Sequence, residues 1–157
     1  MNDEKKFLSE AIKLAVENVK NGNGGPFGAV VVKDGVIIGR GANSVTSAND
    51  PTAHAEVVAI RDACNNLGSF QLDGCVVYSS CEPCPMCLGA IYWARPEKLI
   101  FAATKEDASN VGFDDSFIYE EIAVPIGERK ICTEHLHHED TLSPFTEWTV
   151  SQNKIEY

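Results

Sequence analysis

The sequence predicts an α/β fold, a mixed sheet of about five strands with helices on its faces, and three observations predict it. Two β-rich runs, residues 27–33 and 36–41, are joined by Asp34-Gly35, the two-residue signal of a tight hairpin. An apolar strand at 75–79, a helix at 83–94 stopped before Pro96, and a strand at 99–103 describe a right-handed parallel crossover. Between hairpin and crossover lies 53–67, where Val57, Val58, Ile60, Ala63, Cys64 and Leu67 fit a helix packed on a sheet.

The remaining elements follow in chain order. Phe7, Leu8, Ala11, Ile12, Ala15, Val16 and Val19 recur at three- and four-residue spacing and predict an amphipathic helix over 7–21, stopped by Gly22 and Gly24. The hairpin leaves Asn43 just past its second strand. A polar loop ending in Asp50-Pro51-Thr52 leads into the helix whose first turn holds His54 and Glu56. After the crossover, 112–123 starts as a loop and becomes a helix around 116–122, 129–136 supplies a last strand, and Ser143-Pro144 starts a terminal helix with the proline in its first turn.

At 157 residues the chain is sized for one domain, 1–157. Its formal charge is −10, from 23 acidic against 13 basic side chains with no basic cluster, which disfavours a nucleic-acid partner. The apolar runs are too short for a membrane span, and residues 1–6 lack the layout of a secretion signal, so a cytoplasmic protein is expected. In that compartment the six cysteines point to metal or redox chemistry before disulfides. Cys64, Cys75 and Cys132 are expected to be plain buried thiols.

The chemistry concentrates in His54-Ala55-Glu56 and in Pro83-Cys84-Pro85-Met86-Cys87. A thiolate pair at C-x-x-C spacing on the first turn of a helix, with one imidazole, makes three zinc ligands and leaves a fourth position open, the pattern of a catalytic site. The positive end of a helix favours the thiolate form. Glu56, two residues from His54, cannot comfortably share the metal but is placed to shuttle protons. Blander readings compete. Cys81, Cys84 and Cys87 resemble the start of an iron–sulfur run, but the fourth cysteine with its proline is missing. A structural zinc site would take Cys81 as its fourth ligand, yet would have no use for Glu56. Trp93 fits the core or a pocket wall equally, Asp114 and Asp115 fit a helix cap, and the spacing of His135, His137 and His138 gives them no role.

H-x-E followed by P-C-x-x-C is a zinc nucleobase deaminase signature. The chain resembles the cytidine deaminase-like superfamily over nearly its whole length, and more narrowly the short bacterial guanine deaminases. The residues that carry the likeness are 24–29, 49–56, 83–94, Gly112-Phe113-Asp114-Asp115-Ser116-Phe117-Ile118-Tyr119 and the terminal Tyr157. The first three stretches are shared in part with tRNA adenosine deaminases. The resemblance implies a three-layer α/β/α sandwich, a homodimer, and hydrolysis of guanine to xanthine and ammonia, part of purine catabolism. It implies one zinc ion per chain on His54, Cys84 and Cys87, and Glu56 as the proton shuttle. A purine pocket is implied from Asn43, Phe27, Ala55, Trp93 and Asp115, with Asp114 as the fallback acid. It further implies that a C-terminal segment, about 140–157, is exchanged between subunits so that Tyr157 closes the partner's site. A guanine nucleoside or another aminated ring is the alternative substrate; a tRNA adenosine is disfavoured by the charge.

Overall fold

The computed structural model describes residues 3–157. Met1 and Asn2, at the start of the stretch read above for a secretion signal, lie outside the described residues. Two compact units divide the chain, Met1–Asp115 and Ser116–Tyr157.

The first unit is built on a four-stranded sheet in the order β2-β1-β3-β4, from β1 (Gly28–Lys33), β2 (Val36–Ala42), β3 (Cys75–Cys81) and β4 (Lys98–Ala103). β1 pairs antiparallel with both β2 and β3, and β3 pairs parallel with β4 across the expected crossover, so the sheet is mixed. Asp34 and Gly35 form the turn of the hairpin, both at positive φ of 49° and 76°. Helices cover both faces. On one side α1 (Asp3–Lys20) brings Phe7 against Val30, Val32 and Tyr78. On the other, α3 (Ala55–Leu67) and α4 (Pro85–Ala94) pack Ala55, Ala59, Ala63, Ile91 and Ala94 against Ala29, Val31 and Val77. These alternating positions of β1 face opposite layers, as a period of two requires. The result is a three-layer α/β/α arrangement.

Small residues set the spacing between layers. A Cβ added at Gly41 would overlap Ala55 O and crowd Ala59 N, and one at Gly39 would meet Ala59 O and Ala63. The glycines of β2 and the alanines of α3 thus let that helix lie close on the sheet, and its N-terminus carries part of the site. α1 also lies close on the sheet, where a Cβ added at Gly28 would overlap Ala11 O. Its buried face is Phe7, Ala11, Ala15 and Asn18, while Ile12, Val16 and Val19 from the predicted stripe are 41%, 47% and 50% exposed. The narrow alanine edge, rather than the bulkier aliphatic edge, is what fits against the sheet.

Two short helices are added: α2 (Val45–Ala48) lies in the stretch read above as a polar loop, and α5 (Lys105–Ser109) in a stretch given no element. α5 has a reciprocal cap, with the Thr104 hydroxyl accepting from Asp107 N–H and the Asp107 carboxylate accepting from Thr104 N–H. The second unit holds α6 (Ser116–Ala123), a 3-10 turn at Ile126–Glu128 and α7 (Ser143–Val150). The fifth strand expected at 129–136 does not form: those residues belong to no strand, and the sheet has four strands among the described residues. Ile131 and Leu136 are 82% and 88% exposed, so that stretch lacks the buried face that makes alternation a strand. Cys132, expected to be buried, is exposed for the same reason. No described residue of the second unit is buried, although Phe145, Trp148, Val150 and Tyr157 are among its exposed large side chains.

Candidate active site

Two helix starts bring the donors together. His54 caps the N-terminus of α3 and Cys84 that of α4, both with extended backbone, and Cys87 lies in the first turn of α4 behind Pro85. The sequence reading put His54 and Cys84 inside the helices; each instead occupies the position just before the first helical residue. The ligand atoms of His54, Cys84 and Cys87 all lie within 4.8 Å of one another. They are the sole such group of three among the described residues, and Cys81 is not in it.

The donor set fits zinc. Tetrahedral bonds of about 2.05 Å to nitrogen and about 2.3 Å to sulfur place the two donors about 3.6 Å apart, and His54 Nδ1 lies 3.5 Å from Cys84 Sγ. Hydrogen bonding from the Cys87 thiol, with the nearby His54 ring, lowers the Cys84 thiol to about 4, in the direction a metal ligand requires. Its partner moves the other way, since Cys87 is held protonated by its bond to Cys84 and by burial. A cation bound between them would favour the thiolate form of both sulfurs. The same contact with Cys84 raises His54. Cys81 closes β3, its Sγ 3.5 Å from Thr104 O, and burial pushes it to about 11, so it stays a thiol.

Glu56 lies in the first turn of α3 and is 5% exposed. The Ser79 hydroxyl, buried on β3, donates to its Oε1 at 2.9 Å. Burial is the main cause that lifts its carboxyl above the ordinary range, opposed by the hydrogen bonds from Ser79 and Cys87. A carboxyl that is buried, fixed by one oxygen and in contact with a metal-ligand candidate has the surroundings of a proton carrier.

Around this centre the loop ends are tied to one another. Asn43 is buried and its Oδ1 accepts from Gly25 N–H and Val45 N–H, both at 3.3 Å, which leaves the Nδ2 hydrogens as the face offered to another acceptor. Ser44 N–H donates to Ala53 O at 2.9 Å, next to His54, and Gly28 N–H donates to the Ser80 hydroxyl at 3.0 Å, at the end of β3. Phe27 stands edge-on to Phe113 with ring centroids 5.0 Å apart. Asp115 is half-buried whereas Asp114 is exposed. Its carboxyl is raised by burial and by the negative charge at Cys84. Ala55 is fully buried. Trp93 lies near the far end of α4, roughly 13 Å along the axis from Cys84, and is 64% exposed; Tyr157 is 69% exposed at the end of the second unit. Trp93 therefore stands at the opposite end of α4 from Cys84 and Cys87. His135, His137 and His138 are exposed and gather no metal-binding group among the described residues.

Residues 1–103 match the family model of the cytidine and deoxycytidylate deaminase zinc-binding region. The chain belongs to that family. It is 59% identical to the guanine deaminase of Bacillus subtilis over 157 residues, the whole of both chains. The X-ray structure of that Bacillus subtilis protein superposes with a TM-score of 0.96 over 98% of each chain. A guanine deaminase from Nitrosomonas europaea is 34% identical with a TM-score of 0.66, covering 69% of this chain and 63% of that one. The tRNA-specific adenosine deaminase of Aquifex aeolicus is 45% identical over 97 residues, 62% of this chain and 64% of that protein. The three-layer architecture and the zinc-binding class of the sequence reading stand, with four strands in place of five.

Sequence reasoning had no role for Ser79, Ser80 or Asn18. The first two lie in a strand that reads as apolar. Asn18 had a usable signal, since it follows Phe7, Ala11 and Ala15 at the next helical step and is the one polar residue on that edge.

Proposed function

We propose that this protein hydrolyses guanine to xanthine and ammonia with one zinc ion per chain on His54, Cys84 and Cys87. The observation that carries the reading is full-length likeness to a guanine deaminase at 59% identity together with the convergent His, Cys, Cys donor set beside a buried glutamate. The tRNA deaminase likeness cited above extends over only 62% of the chain, and the charge of −10 gives a folded RNA no basic surface to meet.

Zinc bound there supplies Lewis acidity, which brings the pKa of a water molecule to about 7. The chain's own residues do the rest. Glu56 takes a proton from the attacking water, gives it to a ring nitrogen, and then assists departure of the C2 amine, so that a C2–O bond forms and the C2–N bond breaks. Ser79 holds one carboxyl oxygen during these transfers. Asn43 offers its Nδ2 hydrogens to an acceptor on the ring, Phe27 walls the pocket, and Asp115 accepts from the N1–H edge of guanine. Adenine presents an acceptor at N1 and is repelled there. Trp93 and Tyr157 complete the pocket in a homodimer, with the C-terminal segment of a second copy as the lid. The second unit's exposed aromatic and aliphatic side chains, with none buried, support such a cover.

Ammonia release from guanine, guanosine, adenine and cytosine by zinc-replete protein tests the reading. Guanine is expected to be turned over fastest by a wide margin. A preference for guanosine or for adenine would overturn the assigned substrate.

A further inference from the structure

Asn18 is 7% exposed on the sheet-facing edge of α1, where Phe7, Ala11 and Ala15 precede it. A buried amide at a core position is costly unless its hydrogens are used. Both are: Nδ2 donates to Gly25 O and to Asn43 O, each at 2.8 Å. One side chain therefore pins two segments that are far apart in sequence. Both segments belong to the candidate pocket. Gly25 N–H is one of the two donors that orient the Asn43 carboxamide, Asn43 N–H donates to Phe27 O at 3.1 Å, and Phe27 meets Phe113 two residues before Asp115. The fit leaves no slack, since a Cβ at Gly24 would overlap Asn43 O.

We propose that Asn18 is a positioning residue for the substrate: by holding the backbone of residues 25 and 43 it sets the direction of the Asn43 Nδ2 hydrogens and the place of the Phe27 ring. The proposal rests on the reading of Asn43 as a substrate contact. Asn18 touches neither the metal donors nor Glu56 in any described hydrogen bond, so its loss acts on binding more than on the proton transfers.

Asn18→Ala, Asn43→Ala and the double variant are compared with wild type for guanine kcat and KM, for calorimetric Kd of 8-azaguanine, for zinc content and for Tm. Asn18→Ala is expected to raise KM and Kd by about tenfold to a hundredfold, the scale of a misplaced polar contact. It should leave kcat within about threefold and zinc content unchanged. Because it acts in large part through Asn43, the loss in the double variant should fall well short of the sum of the two single losses, a non-additivity that independent roles would not give. Additive losses, or unchanged binding in Asn18→Ala, overturn the proposal. If Asn43→Ala itself leaves binding unchanged, the substrate reading of Asn43 fails, and the role of Asn18 with it. Should Asn18→Ala not fold, the cycle is run with Asn18→Ser, and failure of both to fold makes Asn18 a determinant of the fold and overturns the proposal too.

Discussion

Replacing Glu56 by glutamine separates catalysis from architecture. The amide has the shape of the acid, and its oxygen can still accept from the Ser79 hydroxyl that now lies 2.9 Å from Oε1. The acid is 5% exposed, and burial lifts its pKa, so in the folded chain it bears a desolvation cost that a neutral amide does not. Tm of Glu56→Gln is therefore expected to equal or exceed that of wild type, and zinc content should stay the same. What the amide cannot do is accept and return a proton. General acid–base catalysis by a placed side chain contributes about a hundredfold to ten-thousandfold, or about 3 to 5 kcal/mol of barrier. The fall should appear in kcat and in kcat/KM alike, because a proton shuttle acts in the transition state and binds no ground state. The assay is ammonia release from guanine, with elemental analysis and thermal unfolding on the same preparations. Turnover within a few-fold of wild type, with zinc and fold intact, would remove Glu56 from the chemistry.

Three further perturbations probe the rest of the site. Asp115→Asn should lower kcat/KM for guanine by up to about ten-thousandfold with little change in Tm, since a site built to accept a substrate N–H discriminates on that scale; a fall in Tm with normal kinetics would make Asp115 a helix cap. Gly41→Ala drives a Cβ into Ala55 O and should cost about 1 to 3 kcal/mol of stability in thermal unfolding, weakening zinc binding as well because α3 carries His54 at its end. Stability and zinc affinity both unchanged would show that the helix and sheet have room to part. Deleting residues 155–157 should raise KM or lower kcat without unfolding the protein, and unchanged kinetics would leave Tyr157 without a part in the pocket.

Much of this was legible in the residues because local chemistry decided it. Asp34-Gly35 signals a tight turn, so the hairpin followed, with Asn43 just past its second strand; the register shift between Val31 and Val32 had no such signal. The convergence of His54, Cys84 and Cys87 was legible because all three are tied to helix starts, where a few residues determine geometry. The contacts that order the pocket were not. Asn18 reaches Asn43 across 25 residues, and Ser79 reaches Glu56 across 23, pairings that exist only once the layers are stacked. The strand expected at 129–136 failed for the converse reason. Strand formation depends on a buried face, and Ile131 and Leu136 have none. Spacing along α1 likewise indicated a helix without saying which edge would be buried, because the choice between Ala15–Asn18 and Val16–Val19 is made by the close approach of Gly28 to Ala11 and Ala15.

The central claim, that guanine turnover depends on one zinc ion held by His54, Cys84 and Cys87, is tested most directly by titrating chelator-stripped protein with zinc while xanthine formation from guanine is followed. Turnover should be absent without metal, rise linearly to one equivalent per chain and then stay flat, and Cys84→Ala should neither retain stoichiometric zinc nor recover activity. Full turnover in the stripped protein, or a Cys84→Ala protein with wild-type zinc and rate, would contradict the account.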